Sequence, residues 1–154
     1  MFGSIWRTYP MPVATTVMPA ADSSGPKNMK NRIFVVEDHP LMRKSIVAAL
    51  EREADLAVCG QAEDAPDALA GIASLQPDLV LTDLELKTSS GFDLIRSLRI
   101  HAPALPILAT TLFNVGENER RARDAGASDF VPKLAGPEKL VTAAHALLKA
   151  GSSS

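Results

Sequence analysis

One cysteine, Cys59, in 154 residues leaves no internal disulfide and no multi-cysteine zinc centre. That usage fits a reducing compartment, so a cytoplasmic location is expected. Aromatic residues are scarce at 5%, and the single Trp and single Tyr, Trp6 and Tyr9, fall in the first ten residues. No apolar run approaches the roughly 18 residues that a membrane helix needs, which argues against a membrane partner. Arg7, Pro10 and Pro12 interrupt the apolar start, and no basic segment precedes it, so a secretory signal is not expected. Neither sign of charge dominates. Sixteen Lys and Arg against eighteen Asp and Glu leave a net −2, which excludes a strongly basic nucleic-acid binder.

What is present is globular in character: 46% apolar and 22% charged residues. A chain of this length can bury roughly 70% of its unfolded surface, enough for one domain with a proper core. Residues 1–30 stand apart. They hold four of the eleven prolines and four of the five methionines, with a linker-like Ser23-Ser24-Gly25-Pro26, and no helical or strand period persists. Two readings stand for them: a disordered tail, or a mis-annotated start with Met29 the true one. Residues 150–154 read as a flexible end.

From Asn31 onward, strands and helices alternate. Ile33-Phe34-Val35-Val36 is an apolar run that ends in acids, as a buried parallel strand would. Pro40 suits the first turn of a helix, on which Leu41, Ser45, Ala48 and Ala49 share a face. Leu56 to Cys59 is a second, weaker strand. Asp64 is expected to cap a helix that begins around Pro66. Leu79 to Thr82 is a third strand ending at Asp83, and a helix with Leu94, Ile95 and Leu98 follows Ser89-Ser90-Gly91. Pro106 to Thr110 is the fourth strand. A polar helix then runs from Val115 to Ala125 and stops at Gly126. Phe130-Val131 is the fifth strand, and Pro137 opens the last helix. This order predicts an α/β fold with a parallel sheet and helices on both faces. Ligands of such sheets bind beyond the carboxyl ends of the strands.

Those ends carry Glu37-Asp38, Asp83, Thr110-Thr111 and Pro132-Lys133. Convergent carboxylates repel one another and call for a cation, and hard oxygen donors select Mg²⁺. A lysine and a threonine hydroxyl suit the oxygens of a phosphoryl group. Together the set suits phosphoryl transfer to a carboxylate nucleophile. Taken singly, each residue reads as a helix cap, a turn hydroxyl or a surface lysine.

The joint pattern resembles the receiver domain of bacterial two-component response regulators. The residues that carry it lie within 32–149: Val35-Val36-Glu37-Asp38-His39-Pro40, Pro77 to Leu84, Gly91, Pro106 to Thr111, Asp124-Ala125-Gly126-Ala127 and Phe130-Val131-Pro132-Lys133. The resemblance implies a flavodoxin-like doubly wound (βα)5 sandwich, strand order 2-1-3-4-5, over residues 31–149. It implies Asp83 as phospho-acceptor, becoming 4-aspartylphosphate, and a Mg²⁺ ion held by Glu37, Asp38, Asp83 and the backbone carbonyl of Glu85. It implies Thr111 as the hydroxyl that moves onto the phosphoryl group, Lys133 as its ammonium contact and Phe130 as the switch aromatic. The implied partners are a sensor histidine kinase or phosphotransfer protein and a downstream protein that reads the fourth helix, fifth strand and fifth helix. Autophosphorylation and autodephosphorylation are the chemistry implied, with no metabolite turned over.

Asp38-His39-Pro40 and Val58 to Ala62 look most like the subfamily that usually carries a C-terminal helix-turn-helix. No such segment follows the last helix, so direct DNA binding is not expected. Arg120, Arg121 and Arg123 read as a solvated face paired with Glu117 and Glu119. His39 reads as a loop residue beside a helix start, and His101 and His145 as ordinary helix residues. Glu37 stands where the family more often has Asp, and Lys87 where it usually has proline. Leu134 replaces the usual proline after the lysine, which weakens the expectation of a cis peptide there. Two other readings compete: a scaffold that works without phosphate, and a phosphohydrolase suggested by Asp83-Leu84-Glu85, which lacks the second Asp of that motif.

Overall fold

The computed structural model describes residues 29–152. The expectations for residues 1–28 and for Ser153 and Ser154 lie outside the described residues. The elements run β1 (Asn31–Val36), α1 (Pro40–Glu51), β2 (Leu56–Ala62), α2 (Ala65–Leu75), β3 (Leu79–Asp83) and α3 (Gly91–His101). They continue with β4 (Ile107–Thr111), α4 (Val115–Ala125), β5 (Asp129–Pro132), a single 3-10 turn (Lys133–Ala135) and α5 (Pro137–Ser152). All strands pair in parallel, in the order β2-β1-β3-β4-β5. The fold class and strand order expected from the sequence are those observed. No helix among the described residues is long and apolar enough to cross a membrane.

The middle stretches of β1, β3 and β4 are apolar and buried because both faces of the sheet are covered. Side chains alternate between two cores. Ile33 and Val35 of β1 join Leu79, Leu81 and Leu108 beneath α1 and α5, which contribute Ile46, Leu50, Leu140 and Ala144. Phe34 and Val36 join Val80, Ile107, Ala109 and Phe130 beneath α2, α3 and α4, which contribute Ala68, Ile72, Leu94, Ile95, Leu98 and Ala122. Phe34 fits because Gly60 and Gly71 offer no side chain above it; a Cβ on either would come within 2.8 Å of the ring.

Three local features differ from the sequence reading. β2 extends to Ala62, because a register shift between Ile33 and Phe34 lets the strand pass Cys59 and go on pairing. Of the α1 face read as Leu41, Ser45, Ala48 and Ala49, the first three are turned outward, with Leu41 73% exposed, and Ala49 is buried. The buried stripe is Ile46, Ala49 and Leu50, supported by Met42. Asp64 occupies the N-cap position of α2 but makes no cap bond. Its carboxylate accepts instead from the Thr88 and Ser89 hydroxyls and the Thr88 N–H, while Ser89 Oγ accepts from the Ala65 N–H at 3.0 Å. Those hydroxyl donors hold the Asp64 carboxyl down to about 2. No cis peptide occurs among the described residues. α5 continues to Ser152, into the stretch read as a flexible end.

Candidate functional site

The sheet register builds the site. Val36 lies opposite Thr82, Asp83 opposite Thr110, and Thr111 opposite Pro132, so four strands end at one level. The residues at or just past those ends are Glu37, Asp38, Asp83, Thr111 and Lys133, and the structure brings all five to one rim. Two tight connections hold the rim. The Leu84 N–H donates to Thr110 O at 3.0 Å, and the Gly91 N–H donates back to Leu84 O at 2.9 Å. Gly91 must be glycine here: a Cβ would stand 2.2 Å from the Asp83 carbonyl oxygen and 2.6 Å from Leu84 Cα.

Glu37 is fully buried and Asp83 is 2% exposed. Lys133 Nζ donates to Asp83 Oδ2 at 2.7 Å and sits 2.8 Å from Glu37 Oε1 in an ion pair. Glu37 Oε1 thus has the shared Lys133 ammonium as its charged neighbour. Glu37 Oε2 accepts from the His39 N–H at 3.2 Å. Burial, with the neighbouring Asp83 charge adding to it, raises the Glu37 carboxyl to about 7 against the opposing pull of Lys133. Burial works to lower the Lys133 ammonium, but its hydrogen bonds and Coulomb attraction to Asp83 and Glu37 prevail and raise it.

Oxygens of Glu37, Asp38 and Asp83 lie within 4.8 Å of one another. Three carboxylates converge on one shared ammonium, which leaves an excess of negative charge. That donor set fits a hard divalent cation. Glu53, Asp55 and His145 form a second group at the opposite end of the strands, where His145 Nε2 is 3.0 Å from Asp55 Oδ1 and helps hold the Asp55 carboxyl down. His145 is therefore a hydrogen-bond partner of Asp55 as well as a helix residue. His39 is the N-cap of α1, its Nδ1 accepting from the Met42 N–H at 3.4 Å.

Thr111 is buried, and its hydroxyl donates to Glu85, 2.9 Å from Oε1 and 3.0 Å from Oε2. Burial raises the Glu85 carboxyl, opposed by the Thr111 hydrogen bond. Sequence reasoning assigned Glu85 only a backbone carbonyl. Its side chain enters the site through a threonine 26 residues away, a pairing that no local signal announces. Phe130 is 6% exposed and packs in the α2–α3–α4 core. Lys87 turns to Glu63, 3.4 Å away, and Glu63 also pairs with Arg43. Of the α4 arginines, Arg123 pairs with Glu119 and Asp129, and Arg121 stacks on the Phe92 ring at 4.1 Å.

Residues 33–145 match the family model described as the response regulator receiver domain. The chain is 33% identical over 124 residues to protein-glutamate methylesterase/protein-glutamine glutaminase 2 of Cereibacter sphaeroides, covering 80% of this chain and 33% of that protein. It is 37% identical over 107 residues to the corresponding protein 1 of Caulobacter vibrioides, covering 69% and 31%. The chain thus spans about a third of the length of these curated relatives. Among solved structures, a LuxR-family two-component response regulator from Aurantimonas sp. SI85-9A1 superimposes with a TM-score of 0.75 at 34% identity, over 79% of this chain and 86% of that one. The receiver domain of a response regulator described as NarL, from Mycobacterium tuberculosis, does so with 0.72 at 28%, over 79% and 98%. With these matches and the carboxylate–lysine cluster at the strand ends, the chain belongs to the response regulator receiver domain family.

Proposed function

We infer that this chain is a phosphoryl-accepting signalling switch in which Asp83 takes the phosphoryl group from a phosphohistidine on a partner histidine kinase or phosphotransfer protein. The observation that carries this reading is the buried Lys133 ammonium held between Asp83 and Glu37. An ammonium 2.7 Å from Asp83 Oδ2 orients that carboxylate, and is poised to take up charge on an incoming phosphoryl group. Glu37, Asp38, Asp83 and the Glu85 carbonyl would hold Mg²⁺, which supplies charge neutralisation to the transferring group.

In the transfer, an Asp83 carboxylate oxygen forms the new bond to phosphorus as the bond to the imidazole nitrogen breaks. The imidazole keeps that electron pair and takes up a proton from solvent. The acyl phosphate carries about two negative charges where the free carboxylate carried one, so the rim gains about one. Thr111 then donates to a phosphoryl oxygen, and Phe130, on β5, couples that movement to the surface of α4, β5 and α5. Water later hydrolyses the acyl phosphate. No metabolite is turned over, and the ester-hydrolysing names of the curated relatives are not carried to this chain. The exposed side chains of Phe113 and Leu134 flank the segments that leave β4 and β5, and suit docking of a protein partner. A cytoplasmic location accords with the single cysteine.

Incubation with Mg²⁺ and acetyl phosphate, followed by intact mass, tests this. The expected result is a single phosphate adduct, absent without Mg²⁺ and absent in Asp83→Asn. An unchanged mass on a protein shown to be folded would favour the scaffold reading.

A further inference from the structure

The geometry points to the Glu85 side chain as a positioning residue whose carboxylate accepts the Thr111 hydroxyl in the place a phosphoryl oxygen would otherwise take, and must release it when Asp83 is modified. This rests on the phosphoacceptor reading of Asp83 and deepens it.

Three observations combine. The Thr111 hydroxyl lies almost equidistant from both Glu85 oxygens, at 2.9 and 3.0 Å. Its oxygen also receives the Phe113 N–H at 3.4 Å, so the hydroxyl proton is the one group it has to give. Glu85 itself is pinned at the backbone: its N–H donates to Asp83 Oδ1 at 3.2 Å, and it bridges to Ser90 across the loop. The carboxylate that holds Thr111 therefore hangs directly from the acceptor residue's own hydrogen bond. Lys133 is committed to Asp83 and Glu37, and the single Thr111 hydroxyl is shared between the two Glu85 carboxylate oxygens.

A carboxylate and a phosphoryl group are both anionic acceptors, and a single hydroxyl proton serves one of them at a time. A phosphoryl group on Asp83 brings a second anion beside Glu85, and like charges repel. Modification therefore pushes Glu85 toward solvent, on the exposed side where it already lies, and hands Thr111 to the phosphoryl oxygen. Before that exchange the hydroxyl is already engaged and Phe130 is already buried. Glu85 thus sets how the resting chain is poised, and it competes with the phosphoryl group for the same donor.

The test compares the full chain with Glu85→Ala, Glu85→Gln and Thr111→Ala. In unmodified protein, methyl NMR of Thr111 and ring signals of Phe130 should shift in Glu85→Ala. Glu85→Gln, whose amide oxygen can still accept, should move them less. With acetyl phosphate and Mg²⁺, the effect of Glu85→Ala on adduct formation should differ between the wild-type and Thr111→Ala backgrounds by at least about twofold, as for residues in contact. Unchanged Thr111 signals in Glu85→Ala, or equal effects in the two backgrounds, would overturn the proposal. If the wild-type chain forms no adduct at all, the phosphoacceptor reading fails by itself, while the NMR comparison still decides whether Glu85 holds Thr111. Glu85→Gln, close in shape to the native residue, keeps both measurements available should Glu85→Ala fold poorly.

Discussion

Glu37 is the residue at which burial and charge conflict most sharply. Its carboxyl is raised to about 7 while the same group in an unfolded chain ionises near 4.5. Between those values the folded chain holds a proton that the unfolded chain has lost. Stability therefore falls as pH rises through this window, by roughly 3 kcal/mol in all without a divalent ion. Denaturant unfolding at pH 4.5, 6 and 8 should show that loss, and Glu37→Gln should flatten it. A metal ion favours the ionised carboxylate, so Mg²⁺ should bind more tightly from pH 6 to 8 and release a proton, as calorimetry in buffers of different ionisation heat would record. Flat affinity over that range would show that Glu37 is no ligand. At this scale the sequence was informative about Glu37, Asp38, Asp83, Thr111 and Lys133, because strand ends can be read from apolar runs. Glu85 was hidden because its partner is Thr111, on another strand. Lys87 departs from the family pattern, and its turn toward Glu63 depends on how two loops meet.

Among the elements, α3 is tied most closely to the site. Ser90 caps it, accepting from the Phe92 N–H at 3.1 Å, and Gly91 follows against the Asp83 backbone. The methyl group of Gly91→Ala would meet backbone atoms, which cannot rotate away as a side-chain tip can. We expect a loss of about 1–3 kcal/mol from overpacking and a displaced acceptor loop. Thermal unfolding should show the first, and slowed adduct formation on a still-folded protein the second; an unaltered rate would mean that the loop absorbs the methyl. Strands were legible as elements because both faces are buried and apolar runs mark them. α1 shows the limit of that reading. Leu41, Ser45 and Ala48 do share a face, but periodicity alone leaves the outward and inward sides unlabelled, and packing against β1, β2 and α5 buries Ile46, Leu50 and Ala49, the last of these read onto the Leu41 face. Asp64 shows another limit: a cap position is visible locally, whereas the Thr88 and Ser89 hydroxyls that claim its carboxylate arrive from 24 and 25 residues away.

For the molecule as a whole, one sheet separates two cores, and every strand contributes to both. Leu81, fully buried in the core beneath α1 and α5, sits two residues before Asp83. Leu81→Ala should cost about 2–5 kcal/mol, in a single transition if the two cores unfold together. Resolved, separate transitions by circular dichroism and by NMR would show that the cores are independent. The parallel sheet and its two helical layers could be anticipated because alternating elements with right-handed crossovers admit few arrangements, whereas the strand order came only with the family resemblance. The side-chain contacts that tie the layers together could not, since they arise only once the register is set.

The Lys133 ion pairs have a mechanical reading as well. β5 is one of the two edge strands and pairs only with β4, yet its following residue grips Asp83 at the end of β3 and Glu37 just beyond β1. Charge at the centre of the sheet thus anchors its margin from two strands away. Whatever draws that ammonium elsewhere slackens the hem of the sheet, and the news of chemistry at Asp83 reaches the outer edge along a single side chain.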